Sequence, residues 1–514
     1  MNNLRIKTNT HASQAIAEQS ADVLRTTRSN TAAQLWAGVA KADITNTEAR
    51  PCNDPLYVKA LVLRCRDTTA IIITVDAVAI AEIGTIPNDY LANVRSRLHE
   101  QLGIEPPNVL INASHCHGVV CADIEERTVQ AAKEAWQNMV PATAGVGSGR
   151  ESRIMENRRL RLASGEEADV RRAYSLPPDE SVVGVGPVDP QIGILRLDRL
   201  DGQTLAVVYN FACHPIQGVP GGGNTADISG FASKIIEDNL GRGTIALFLQ
   251  GCAGDVNPIL YKDVDHPRNA EQLGAMLGLS TLQAVRDIRQ GQPGSLMVIN
   301  EALQLPRADL ARRIESMSDR QARLLNSLKA TNLNLRTYVS LVLKHSLWPD
   351  FPSYYSHRYI HEQSVGTTEF RDLDAGNRRD ITEYAANIYI MEELTRIGVN
   401  INLLKKHQAR NKGAGSSTVE VEVVGLRVGE FIVVTFPGEL SVQIGLNIKR
   451  RSPHGATFVA GYTNGYIYYA PTAEQLNNPG GAQEDCDCIL SEEWQELYER
   501  KVAQMLERLK PRYS

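Results

Sequence analysis

Three histidines and one glutamate follow directly on apolar stretches. In NVLINASHCHGVVCAD the apolar run ends in His115-Cys116-His117, and in TLAVVYNFACHP it ends in His214. Residues two apart in extended chain point the same way, so the imidazoles of His115 and His117 can face one cavity. Open α/β sheets place ligand sites at the carboxyl ends of their strands, and imidazoles delivered there suit metal binding or proton transfer. A third segment, VVTFPGEL, stops at Pro437-Gly438 and presents Glu439. That carboxylate either joins the histidines or sits at a helix N-terminus, where the macrodipole favours it. GYTNGYIYYAPT places Tyr462, Tyr466, Tyr468 and Tyr469 around a turn, a pattern that packing alone would also produce.

The elements that must carry these residues alternate in type. LVLRC (61–65), AIIITVD (70–76) and NVLINAS (108–114) read as buried strands, with amphipathic helices at 90–103 and 126–140. GILRLDRL, TLAVVYNFA and TIALFLQ are further strands, beside helices FASKIIEDNLG and AEQLGAMLGLSTLQAVRDIRQ. The pattern predicts an α/β class, a mixed layered sheet with flanking helices. Residues 308–412 change character: helical patterns at 308–330 and 381–409 bracket a Trp/Tyr/His-rich stretch, predicting a helical insertion or cap. Strands return at 417–436, and an amphipathic helix ends the chain. Residues 1–33, rich in Ser, Thr, Asn and Ala, read as a flexible arm. The principal domain then comprises 34–307 and 413–514.

Composition narrows the function. Among 514 residues, 54 Lys and Arg stand against 59 Asp and Glu, a formal net charge of -5 with no long basic run, which argues against nucleic acid as a partner. Eight cysteines without a CxxC pair do not make a disulfide scaffold. The first residues lack the apolar core of a secretory signal and no stretch approaches the length of a transmembrane helix, so the expectation is a cytoplasmic protein.

SHCHG, NFACHP, QGCAGDVNP, FPGEL and GYTNGYIYYAPT, in this order, resemble the neutral, non-lysosomal ceramidase family of zinc-dependent amidases. The resemblance spans roughly 36–300 and 417–480. It implies that Zn²⁺ is held by His115, His214, Glu439 and Tyr469, leaving a position for water. Tyr466 and Tyr468 remain alternatives to Tyr469, whose own alternative is a hydrogen-bonding role. It further implies that His117 faces substrate and assists proton transfer, and that Arg158, in the Asn157-Arg158 pair, binds a polar substrate group unless it is a surface arginine. Asp76, ending AIIITVD, and Asp255, in QGCAGDVNP, are then placed to orient a ligand imidazole from behind or to hold turns. Asp227, in GGGNTADISG, is placed to line the cleft.

Two imidazoles and a carboxylate leave a zinc site with net charge +1, able to bring the pKa of water to about 7 for attack on an amide carbonyl. The implied function is hydrolysis of an N-acyl bond in a small or lipid-like substrate. Its rivals are a zinc hydrolase of esters or sugar derivatives and a catalytically silent binding protein. The family's glycine-rich run after His-x-His is replaced by Gly118-Val119-Val120-Cys121, the serine of its Gly-Asp-x-Ser-Pro motif is Asn257, and the loop NNPGGAQEDCDC lacks a substrate-facing tyrosine. These departures put ceramide itself in doubt as the substrate.

Overall fold

The strand Thr68–Val75 shows how the architecture arises. Its side chains alternate between two cores: Ala70 and Ile72 pack with Leu61, Leu63, Leu195, Val208 and Phe431, whereas Ile71, Ile73 and Val75 pack with Tyr90, Val94 and Leu98. A strand covered on both faces reads as an unbroken apolar run, as TTAIIITV does. Each such side chain withdrawn from water contributes about 1.5–3 kcal/mol.

This computed structural model describes residues 34–510, apart from 50, 171–175, 219–222, 262, 264, 267–268, 290 and 292–294. The segment read as an N-terminal arm lies outside the described residues. Eight strands form the main sheet in the order Ile245–Gln250, Thr204–Phe211, Gln191–Arg199, Val140–Arg150, Leu35–Asp43, Tyr57–Cys65, Thr68–Val75 and Val109–Ala113. The pairs are antiparallel except the two at the ends, 245–250 with 204–211 and 68–75 with 109–113. Parallel neighbours need a crossover, and helices Tyr90–Leu102 and Asp227–Leu240 supply it. The sheet curls until its end strands approach, and Gln250 N–H donates to Asn112 Oδ1 at 3.0 Å.

A second sheet, Leu296–Pro306, Thr418–Val428, Phe431–Thr435 and Thr457–Ala460, packs its Val424, Leu426, Phe431 and Val433 against one face of the first. Its other face is covered by helix Trp494–Arg508 through Trp494, Tyr498, Val502 and Met505. The strands 431–435 and 457–460 are parallel, joined through helix Val442–Arg451. The chain is therefore α/β with mixed, layered sheets and flanking helices.

Strand Val140–Arg150 has no apolar signature in its sequence, VPATAGVGSGR. Its glycines make room for helix Ala270–Asp287 and the residue after it: a Cβ on Gly145 or Gly147 would lie 2.6 or 2.5 Å from Ile288, and one on Gly149 3.0 Å from Ala284. Close helix–sheet approach, rather than side-chain burial, selects this sequence.

Between the antiparallel partners 296–306 and 418–428 lie helices Ala311–Ser327, Leu335–Leu347, Ser356–Val365 and Glu369–Gly413. The last has 45 residues, about 68 Å of helix. It begins well before the apolar periodicity suggests because its first turns, EFRDLDAGNRRD, are charged and exposed on most sides. Its later turns bury Ile397, Ile401 and Leu404 against Leu310, Met317 and Cys486. Among the described residues no helix is long and apolar enough to cross a membrane.

Candidate metal centre

The site lies beyond the carboxyl ends of three parallel strand pairs, and a fourth, short one within it pairs Glu439–Leu440 with Tyr469–Ala470. His115 follows strand 109–113, His214 follows 204–211, Glu439 follows 431–435, and the tyrosine segment follows 457–460. His115 leaves its strand in a left-handed turn, φ 67°, with its N–H bound to Ala77 O at 2.9 Å. The Nδ1 of His115 lies 2.6 Å from Val78 O, and that of His214 lies 3.2 Å from Val256 O. A carbonyl only accepts, so each Nδ1 carries a hydrogen and each Nε2 is the ring nitrogen turned toward the cluster. Both Nε2 atoms face Glu439 Oε2, at 3.5 Å from His115 and 3.1 Å from His214.

The ligand atoms of these three residues lie within 4.8 Å of one another, and each residue is only 2% exposed. Tyr462 donates to Glu439 Oε2 at 3.2 Å and Tyr466 donates to Oε1, fixing the carboxylate from behind. Burial pushes the His115 imidazole down to about 3, against the pull of Glu439, so it is neutral near pH 7. Burial would raise the Glu439 carboxyl, but His115, His214 and Tyr466 outweigh it and hold it well below the usual carboxylate range. Two imidazole nitrogens thus converge on a buried carboxylate, and this N, N, O donor set could hold a divalent cation.

The cluster opens on a cavity of about 330 Å³ whose wall includes His117, Arg158, Asn257, Tyr466, Tyr468, Tyr469, Gln483, Asp487 and Lys406. The exposed His117 ring stands edge-on to His115, with centroids 5.4 Å apart. Arg158 is 4% exposed, which excludes the surface reading. Its Nε donates to Glu484 Oε1 at 2.6 Å, and its Nη2 donates to Gly254 O at 2.6 Å and to the Tyr469 hydroxyl at 3.2 Å. Gln483 donates to the same hydroxyl at 3.5 Å. The three tyrosines left open by the sequence therefore differ: Tyr466 is committed to Glu439, Tyr468 receives Arg410 Nη1 at 3.1 Å on the cavity wall, and Tyr469 is held by Arg158.

The acidic candidates act through the main chain. Neither Asp76 nor Asp255 is what holds an imidazole Nδ1; the carbonyls of Val78 and Val256 do that. Asp76 accepts Tyr57 N–H at 2.9 Å, bracing the turn that leads to Val78. Asp255 accepts Val442 N–H at 2.8 Å and Asn157 Nδ2 at 3.1 Å, bracing the turn that carries Val256. Asp227, with φ 56°, accepts the N–H groups of Gln217, Gly218 and Ile228. It thereby ties the loop after His214 to a helix start rather than offering its carboxylate to the cleft. Burial raises its carboxyl to about 6 against those hydrogen bonds.

Positive φ outside glycine marks strain of about 1–3 kcal/mol per residue. His115, Asp227, Tyr462, Asn464 and Tyr468 all adopt it, and all lie at or beside this cluster.

Sequence reading missed several participants. Arg159 donates to Glu484 Oε2 at 2.9 Å and Asp485 Oδ1 at 2.7 Å, completing a buried ionic group with Arg158. Adjacent arginines paired with adjacent acids were the available signal. Lys406 reaches the cavity from the 45-residue helix, and beside it His407 Nε2 bonds Asp487 Oδ1 behind the wall; nothing in their spacing marks them.

No protein-family model and no curated protein matches this chain. Among solved structures it is similar to neutral ceramidase from Pseudomonas aeruginosa, with a TM-score of 0.58 and 15% identity over 94% of this chain and 76% of that one. It is also similar to a ceramidase complexed with C2, with a TM-score of 0.57 and 15% identity over 94% and 77% of the respective chains. The fold of this chain is thus similar to that of neutral ceramidase over nearly its whole length.

Proposed function

We propose that this chain is a zinc-dependent hydrolase that cleaves the amide bond of an N-acyl compound. The observation that carries the reading is the convergence of His115 Nε2, His214 Nε2 and the Glu439 carboxylate within 4.8 Å of one another in a buried pocket. These three residues would hold the metal, with Tyr469 as the fourth group. Arg158 supports that choice of tyrosine by donating to its hydroxyl, working against burial and Glu439, which push the phenol up. When bound, zinc supplies Lewis acidity that polarises a carbonyl and generates a nucleophile from water near neutral pH. The likeness in fold to ceramidases favours an acyl–nitrogen bond as the target.

The remaining steps fall to the chain itself. Val78 and Val256 hold both imidazoles in one tautomer, so the donor set needs no rearrangement. His117 faces the same cavity and is the donor available to charge developing on the substrate carbonyl oxygen. His117, exposed on the cavity wall, is the group able to deliver a proton to the departing amine. A volume near 330 Å³ walled largely by polar side chains suits a compact substrate better than a long two-chain lipid. In this reading residues 308–412 form a cap on the domain built from 34–307 and 413–514.

Elemental analysis tests the proposal. Wild type should carry about one zinc per chain, and His115→Ala and His214→Ala should lose both the metal and turnover of N-acyl substrates. Metal-free wild type, or zinc retained in both variants, would overturn it. Matched amide and ester substrates separate an amidase from an esterase.

A further inference from the structure

Charge on the cavity wall is unevenly satisfied. Arg158 is bound by Glu484 and Tyr469. Arg410, one turn along the same helix from Lys406, is paired with Glu82 and donates to Tyr468. Asp487, the wall carboxylate apart from Glu439, bonds His407. Lys406 differs: its ammonium stands 4.9 Å above the Tyr468 ring, and among the described residues it forms no ion pair. The Tyr468 face holds the lysine stem along the wall while leaving the donors of the ammonium unspent. The backbone beneath is firm, because Ile401, Leu404, His407 and Gln408 of the same helix are buried.

A cation held on a cavity wall and left without an internal carboxylate is suited to an anion that arrives with the ligand. Resting on the amidase reading, we infer that Lys406 selects substrates bearing an anionic group, the simplest being a carboxylate as in an N-acyl amino acid. The helical insertion thereby contributes substrate choice to a metal cluster built entirely by the two sheets. The distribution of charge agrees: Arg158, the other permanent cation on the wall, is paired with Glu484, so an incoming anion meets Lys406 as the unmatched charge.

Three probes test this on the zinc-loaded protein: N-hexanoylglycine, its neutral counterpart N-hexanoylglycinamide, and N-hexanoyl-O-phosphoethanolamine. Wild type should prefer an anionic probe over the neutral one by about tenfold in kcat/KM, mostly through KM, and whichever anion is preferred identifies the class. Lys406→Gln should bring the ratio to about one, and Lys406→Glu should bring it below one. Zinc content and melting temperature should stay unchanged in both variants. Equal use of all three probes by wild type, or a preference that survives both substitutions, overturns the inference. If none is hydrolysed although zinc is bound, the amidase reading fails separately. Calorimetric binding of the intact probes then decides: anion-selective affinity lost in Lys406→Gln supports the role of Lys406, and its absence refutes it.

Discussion

Replacing Glu439 with glutamine should abolish most of the stabilisation that added zinc gives the wild type. Glu439 Oε2 lies 3.1 Å from His214 Nε2 and 3.5 Å from His115 Nε2 and accepts from Tyr462, while Oε1 accepts from Tyr466. In Glu439→Gln the amide oxygen can keep only one of the two tyrosine hydrogen bonds, and a buried donor without an acceptor costs about 1–3 kcal/mol even without zinc. Zinc widens the gap. At a thousandfold excess over Kd, wild type gains about 4 kcal/mol, and the variant, lacking the anionic donor, gains little. Thermal unfolding at pH 7.5 with chelator and with zinc, alongside elemental analysis, measures both differences. A zinc-induced shift in the variant equal to that of wild type would refute the assignment of Glu439 as a metal ligand.

Two further outcomes follow from buried charges. Glu484→Gln leaves Arg158 and Arg159 short of one negative charge in a fully buried setting, and should cost about 3–5 kcal/mol by denaturant unfolding; a loss below 1 kcal/mol would show that the group is not a closed ionic unit. The Asp227 carboxyl is raised to about 6 in the fold from an ordinary 3.8, so the folded state binds the extra proton between those values. Its contribution is present below pH 4 and is lost as pH rises through about 6, an amount of up to about 3 kcal/mol. Asp227→Asn should flatten that slope, at a cost of about 1–3 kcal/mol from misplacing an NH₂ against Gly218 N–H; an unchanged slope in the variant would place the titration elsewhere.

The residues of the candidate cluster, His115, His214 and Glu439, were legible because each follows an apolar strand, and strand ends are visible in a period-two or unbroken apolar pattern. His115, His214 and Glu439 needed no long-range information beyond that. What holds them was not legible. The imidazoles are oriented by the carbonyls of Val78 and Val256, groups every residue owns, so the search for a supporting carboxylate led to Asp76 and Asp255, which brace the turns instead. Strand Val140–Arg150 escaped because its glycines are selected by a helix lying close over them. Arg158 looked like part of a basic surface stretch, and its partner Glu484 lies 326 positions away. Lys406 and His407 were invisible for the same reason: a helix's sequence reports its own apolar face, not the cavity its other side meets.

His214 and Glu439 approach to 3.1 Å across 225 positions of chain, with the helical segment threaded between them. Neither the N-terminal strands nor the C-terminal sheet possesses the cluster alone. Such a contact closes a long loop, an entropic cost that packing of the sheets must offset before the cluster exists. A metal ion bound there would act as a clasp on sequence-distant halves, rewarding completed chains and leaving partly synthesised ones unrewarded. Folding competence and metal affinity would then be set by the same event.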